Sequence, residues 1–406
     1  MGAHSLNLIL WDPPSLIPAL RPFTYTSPIS RLRIGIHRIA HKWERCTGKN
    51  PFYVFSESLH PLYIPKALPE QGDMLVINSC LLPSSDLVEE IYHLSPQEVL
   101  RHKGIPLAAR ISDEHIKRIP DGHIKIPNII SSFLENKNLT SELKPVFRET
   151  GFEPLLIQRP WDILTHNPSQ IVEDLKPLRT KKKDILGSKI PKTCILESTP
   201  EAPIFIGKNV KIGHYTIIEG PCAIGDHCKI GPHSYIRSGT TLGPHCEIRG
   251  EVVRSVFFGG VGGTTQKHGI FVGDSVVGAG CNLGAGLLTS NTKDNGSNIR
   301  FWDEGTKSFI DTERKFCGTM MGDYVSCGIG TRFYPGSHIS PYTQLALAGI
   351  SPRYLPPFSW CRHGEERSKF KLDALLRSVE RVAKRLGGEL GIEERKFIKK
   401  FHQISS

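Results

Sequence analysis

The chain has 406 residues, 39% of them hydrophobic and 22% charged, ordinary globular values that exclude a wholly disordered chain and leave room for two or three domains. No run of eighteen apolar residues occurs, which excludes a membrane span, and the apolar stretch 6–11 stops at Asp12-Pro13-Pro14 without a basic segment before it, so no signal peptide is expected and the cytoplasm is the expected location. Lys and Arg exceed Asp and Glu by 51 − 40 = +11, which suits anionic small-molecule partners; no basic helix interleaved with aromatics marks a nucleic-acid reader.

Residues 1–193 alternate short apolar runs, such as 5–10 and 74–77, with helical stretches such as 84–92, and read as an α/β domain. Its end, 175–192, is basic and proline-punctuated, with Lys181, Lys182 and Lys183 in a row, and reads as a linker. In 194–355 the pattern changes. Ile206, Ile212, Ile218, Ile224, Ile230, Ile236, Leu242 and Ile248 recur every six residues, each with a small or β-branched residue two positions earlier (Val210, Thr216, Cys222, Cys228, Ser234, Thr240, Cys246). Such hexapeptides predict a parallel β-helix, three short strands and three corners to a coil, with both recurring positions facing inward. The order breaks over 251–267, resumes at Phe271, Val277 and Leu283, breaks again over 292–320 and returns at Met321, Cys327, Phe333, Ile339 and Leu345. Two insertions are therefore expected to loop out of the coil and to build a binding face.

The same period accounts for half of the ten cysteines, because Cys222, Cys228, Cys246, Cys281 and Cys327 fall at inward positions where a thiol is a compact apolar filler. In the last segment, 356–406, Leu372, Leu375, Leu376, Val379, Val382 and Leu386 mark one face of an amphipathic helix suited to core packing or oligomer contact.

From His268 the chain reads Gly273-Asp274, Asn282-Leu283-Gly284-Ala285-Gly286 and Thr289-x-Asn291. This run resembles the acetyltransferase half of the bifunctional UDP-N-acetylglucosamine diphosphorylase and glucosamine-1-phosphate N-acetyltransferase family. The likeness extends in outline over residues 6–362, through segments 20–28, 31–35, 161–162, 316–323 and 357–360, to a variant group with a shortened N-terminal domain. It implies a nucleotidyltransferase-like α/β domain followed by a left-handed parallel β-helix, acetyl-CoA as co-substrate, an amino-sugar phosphate as acceptor and a homotrimer with sites between the β-helices of neighbouring chains.

Acyl transfer to an amine needs a base that frees the nitrogen lone pair, and His268 is the candidate, expected to project from the coil three residues before an inward Phe271. The resemblance offers Arg237 for the sugar phosphate and matches Asn282 and Asn291 to asparagines that contact substrate or acetyl donor; Asn282 reads equally well as a rung of a turn ladder. Arg254 falls near a family lysine pair and reads equally well as a solvated charge. Two positions depart from the family: its tyrosine is Phe271 and a serine near the acetyl donor is Ile329.

In the N-terminal domain the glycine-rich triphosphate loop of sugar nucleotidyltransferases is absent. Arg33 is the candidate phosphate cation for UTP or a UDP-sugar, and Asp12 the candidate magnesium ligand, with a plain turn residue as its other reading. Two functions of different class stand after this: an amino-sugar phosphate N-acetyltransferase fused to a nucleotidyltransferase-like domain, and a non-catalytic trimeric scaffold whose N-domain binds a sugar nucleotide.

Overall fold

The computed structural model describes residues 6–55, 68–69, 71–114, 126–135, 144–178, 187–260, 263–265, 268–385 and 389–405. Lys181, Lys182, Lys183 and Leu386 lie outside the described residues. The chain forms two compact units, one of Met1–Ile17, Pro28–Arg31 and Arg38–Gln158, the other of Pro18–Ser27, Leu32–His37 and Arg159–Ser406.

The first unit is a six-stranded sheet in the order Phe52–Val54, Leu6–Trp11, Asp73–Asn78, Ile105–Ile111, Glu98–His102, Val146–Glu149. The first three strands run parallel, and Ile105–Ile111 pairs antiparallel with both of its neighbours. Asp73–Asn78 is buried along its whole length, which is why it reads as a continuous apolar run with no alternation. Ile9, Trp11, Met74, Val76, Val99, Ala109 and Phe133 share its core.

The second unit is built on a left-handed parallel β-helix with three faces. Residues eighteen apart pair in register, Ile204 with Cys222 and Cys222 with Thr240, so each coil lays its aliphatic residue on the one before. Ile206, Ile224, Ile230, Ile248, Val277, Met321, Phe333 and Leu345 form one buried column with Cys222, Cys228, Cys246, Cys281 and Cys327. Burial pushes the thiols of Cys222 and Cys327 well up, as expected of fillers with no chemistry to do.

Three expectations need correction. Residues 251–267 do not loop out as a whole. Gly250–Val253 and Val256–Phe257 are strands of the coil, and the inward residues Val252 and Phe257 follow Ile248 at shortened spacing, which hides them from a six-residue count. The register therefore slips, and Ile270 and Val272 point inward while Phe271 is paired with outward Glu251. The second insertion does leave the coil, as the antiparallel hairpin Arg300–Asp303 with Ser308–Asp311.

The third correction concerns domain limits. Neither a cut at 193 nor a separate tail matches the contacts. Helix Asp162–Leu175 and segment 32–37 lie on the first face of the coil, where Asn167 accepts from the Gly35 amide at 2.7 Å and from the Thr241 hydroxyl at 3.1 Å, and Ile36, Ile171 and Leu175 pack on Ala223. Gly35 has φ +65°, and a Cβ there would stand 2.5 Å from the Asp174 carboxylate, so only glycine fits. The tail helix Leu372–Arg385 lies on the third face, and Phe401 of helix Ile392–Ile404 packs on Phe358 at 4.9 Å. The second face, which carries Ile195, Leu288 and Ile350 outward and exposed, has no covering element among the described residues.

Candidate active site

Strand Ile270–Gly273 of the second face carries the site's two halves at its two ends. His268 precedes it at one corner and is exposed. The Gly269 carbonyl accepts from Gly286, and the Ala285 carbonyl from Gly330, so the corner continues as Ala285 and Ile329, the latter exposed. Ala285 and Ile329 carry no base, and the other histidines of this corner, His214 and His233, stand in earlier coils.

At the other end of the strand the register stacks Val253 on Gly273, and the next residues are Arg254 and Asp274. Asp274 is 2% exposed, and its carboxylate accepts from Arg254 Nε at 2.7 Å, Arg254 Nη2 at 2.9 Å and Asn291 Nδ2 at 2.6 Å. Arg254 is half-exposed and lies 5.1 Å from the centre of the Phe316 ring; its hydrogen bonds to Asp274 hold its guanidinium above the usual range, outweighing burial. Two expected residues, Arg254 and Asn291, thus meet through a third, Asp274. The Gly-Asp motif was a signal for it, but nothing in the sequence says that its carboxylate bonds both.

Arg237 sits one coil earlier, between Glu219 at 3.6 Å and Glu251 at 3.5 Å, so its charge is already matched by two partly exposed carboxylates. Asn282 lies elsewhere. It is a rung of the third face, bridged to Thr265 and Ser326, and it lines a cavity of about 230 Å³ beneath helix Leu372–Arg385 with Tyr324, Gln344, Ser378 and Arg381. His268 and Asp274 are six residues apart with strand Ile270–Gly273 between them, at most about 20 Å of chain.

The two N-terminal candidates are structural. Asp12 is buried, and its carboxylate accepts from the Ile29 amide at 2.8 Å. Burial pushes it up to about 6 from 3.8, against hydrogen bonds from the Ser79 side chain and the amides of Ile29 and Ser30. With its oxygens so engaged, Asp12 does not fit a magnesium ligand, and among the described residues no group of three His, Cys, Asp or Glu side chains is placed to hold a metal ion. Arg33 is buried in the second unit, where it donates to the carbonyls of Phe258 and Ile36 and so pins segment 32–37 to the coil.

Asp12 sets a pH dependence. Its folded pKa lies above the unfolded one, so the stability it contributes is whole below pH 3.8 and is lost as pH rises through about 6, at most about 3 kcal/mol. Asp12→Asn is expected to melt progressively higher relative to the parent as pH goes from 4 to 7. Parallel melting curves across that range would show that the carboxyl titrates alike folded and unfolded.

Residues 8–183 match the family model described as sugar nucleotidyl transferase, and residues 203–238 match that of the bacterial transferase hexapeptide, six repeats. The chain joins a sugar nucleotidyltransferase-like segment to hexapeptide repeats. Both are transferase families, which puts the chain in that class. The bifunctional protein GlmU of Methanocaldococcus jannaschii is 36% identical over 77 residues, 18% of this chain and 17% of its own length. That of Methanococcus vannielii is 36% identical over 73 residues, again 18% and 17%. The match thus spans less than a fifth of these curated relatives. Among solved structures, UDP-N-acetylglucosamine acyltransferase from Campylobacter jejuni is 13% identical, covering 54% of this chain and 97% of its own with a TM-score of 0.26, too loose a likeness to bear on chemistry.

The nucleotidyltransferase-like segment crosses the boundary between the units, since it includes helix Asp162–Leu175. The hexapeptide match contains Arg237 and ends before Arg254, His268, Asp274 and Asn291. No helix among the described residues is long and apolar enough to cross a membrane.

Proposed function

We propose that the protein is an N-acetyltransferase that moves the acetyl group of acetyl-CoA to the amine of glucosamine-1-phosphate or a related amino-sugar phosphate, in UDP-N-acetylglucosamine biosynthesis. The amine nitrogen attacks the thioester carbonyl, the C–N bond forms, the C–S bond breaks and the sulfur leaves as a thiolate, which regains from the histidine the proton that the nitrogen shed and departs as the thiol. His268 takes the proton that the nitrogen sheds, and Arg254 with Asn291 receives the acceptor's phosphate and hydroxyls. Arg237, shared by two carboxylates, is a lesser phosphate contact, and Asn282 holds a polar group in the cavity under the tail helix.

The observation that carries this reading is the position of the two half-sites. They flank the second face of the coil, which presents exposed Ile195, Leu288 and Ile350 and is uncovered among the described residues. A face with Ile195, Phe271, Leu288 and Ile350 outward, interrupted by Glu251 and Arg332, can pack head-to-tail around a three-fold axis and close a ring, which brings one copy's His268 toward the next copy's Arg254. The active unit on this reading is a homotrimer with three shared sites in the cytoplasm. The match of residues 8–183 supports a sugar-1-phosphate nucleotidyltransferase role for that segment, with UTP as substrate and without Asp12 or Arg33 in it.

Full-length protein given acetyl-CoA and glucosamine-1-phosphate is expected to release free thiol, and given UTP and N-acetylglucosamine-1-phosphate to release pyrophosphate. No thiol release from any amino-sugar phosphate would leave a non-catalytic trimeric scaffold that binds a sugar nucleotide.

A further inference from the structure

Asp274 occupies a place that packing alone does not explain. It is a carboxylate buried to 2% exposure, in the left-handed region at φ +44°, and its partner Arg254 in the preceding coil is there too at φ +41°. Positive φ recurs at other coil corners, at Tyr215, His227, His233 and His245 among others, so what sets this corner apart is the buried carboxylate and what it bonds. Asp274 donates its amide to Val253 and accepts from the Gly318 amide at 2.7 Å, while the Asn291 carbonyl accepts from the Cys317 amide at 2.9 Å. Asn291 and Cys317–Gly318 are the two ends of the second insertion, so one aspartate fastens both sides of its neck.

The hydrogen-bond count fixes what Arg254 has left. A guanidinium has five N–H groups, and Asp274 takes the one on Nε and one on Nη2. Three remain, on a group held in plane by the bidentate pair and flanked by the Phe316 ring, with the side chain half-exposed. Asn291 gives one amide hydrogen to the same carboxylate and keeps its other hydrogen and its carbonyl. A free arginine would lose side-chain entropy on closing round a phosphate, whereas this one is already ordered.

We propose that Asp274 is the positioning residue of the acceptor site, holding the Arg254 guanidinium and the Asn291 amide as one rigid pair that receives the phosphate of an amino-sugar phosphate. The inference rests on the acyl-transfer reading and deepens it. Asp274 itself touches no substrate. It acts by aiming two side chains and by tying the neck of the insertion that brings Phe316 over the arginine.

The test is a double-mutant cycle on full-length protein with glucosamine-1-phosphate and acetyl-CoA. Asp274→Asn is expected to raise KM for the sugar phosphate about tenfold, with kcat and the KM for acetyl-CoA within about twofold of the parent. Arg254→Ala is expected to raise the same KM, and the double variant to be no worse than Arg254→Ala alone, because the two act as one unit. Arg254→Lys keeps the charge but not the fork. It is expected to raise KM without lowering the melting temperature, which keeps the proposal testable should Asp274→Asn fold poorly. Calorimetric binding of the sugar phosphate alone is expected to weaken in step with KM. Additive effects of Asp274→Asn and Arg254→Ala, or an unchanged KM in Asp274→Asn or Arg254→Lys, would overturn the positioning role while leaving acyl transfer standing. A parent protein that acetylates no amino-sugar phosphate would overturn both.

Discussion

His268→Ala is expected to lower acetyl transfer by about 10²- to 10⁴-fold, about 3 to 5 kcal/mol of barrier, and to leave the melting temperature where it was. The two halves of that expectation have separate causes. The ring is exposed at a coil corner and packs on nothing in the buried column, so its loss opens no cavity. The corner it leaves behind continues as Ala285 and Ile329, neither of which can take a proton. The loss should appear in kcat and be largest below the pKa of the acceptor amine, where deprotonation is most needed. Parent-like rates for His268→Ala between pH 6 and 9 would remove the histidine from the chemistry.

Two impaired variants should complement each other, assayed at a sugar-phosphate concentration well below the raised KM of Arg254→Ala. His268→Ala lacks the base and Arg254→Ala lacks the phosphate cation, but on a shared-site trimer each still carries the half that the other has lost. Unfolding and refolding a 1:1 mixture is expected to recover about a quarter of the parental activity, since a site works when its His268 comes from an Arg254→Ala copy and its Arg254 from a His268→Ala copy. Light scattering of the same sample should give three chains per particle. A mixture no more active than its two components would mean that each site is made within one chain. The extended strand Ile270–Gly273 keeps the half-sites of one chain apart, because a strand cannot shorten without losing its pairing to Gly250–Val253 and Leu288–Thr289.

The amino-acid sequence by itself determined the coil. A six-residue period is enforced residue by residue, because every inward position must be small or aliphatic to stack on its neighbours, and so Ile206 to Ile248 and the five cysteines are legible without coordinates. It also marked His268, Asn291 and the start of the hairpin insertion, since a motif that resists the period stands out against it. Only the tertiary structure decided where the period changes phase. Shortened spacing after Ile248 keeps residues 250–257 in the coil and turns Phe271 outward, and no count of sixes shows a corner that closes in fewer residues. Only the structure decided the charges as well. Arg33 and Arg237 look alike as cations in sequence, yet one is spent on the carbonyls of Phe258 and Ile36 and the other lies between Glu219 and Glu251. Asp274 is marked in sequence by its Gly-Asp motif, but what it bonds is not. Its role depends on three strands, twenty and seventeen residues apart, arriving at one corner in register, and contacts between coils are set by pairing across the stack and not by spacing along the chain.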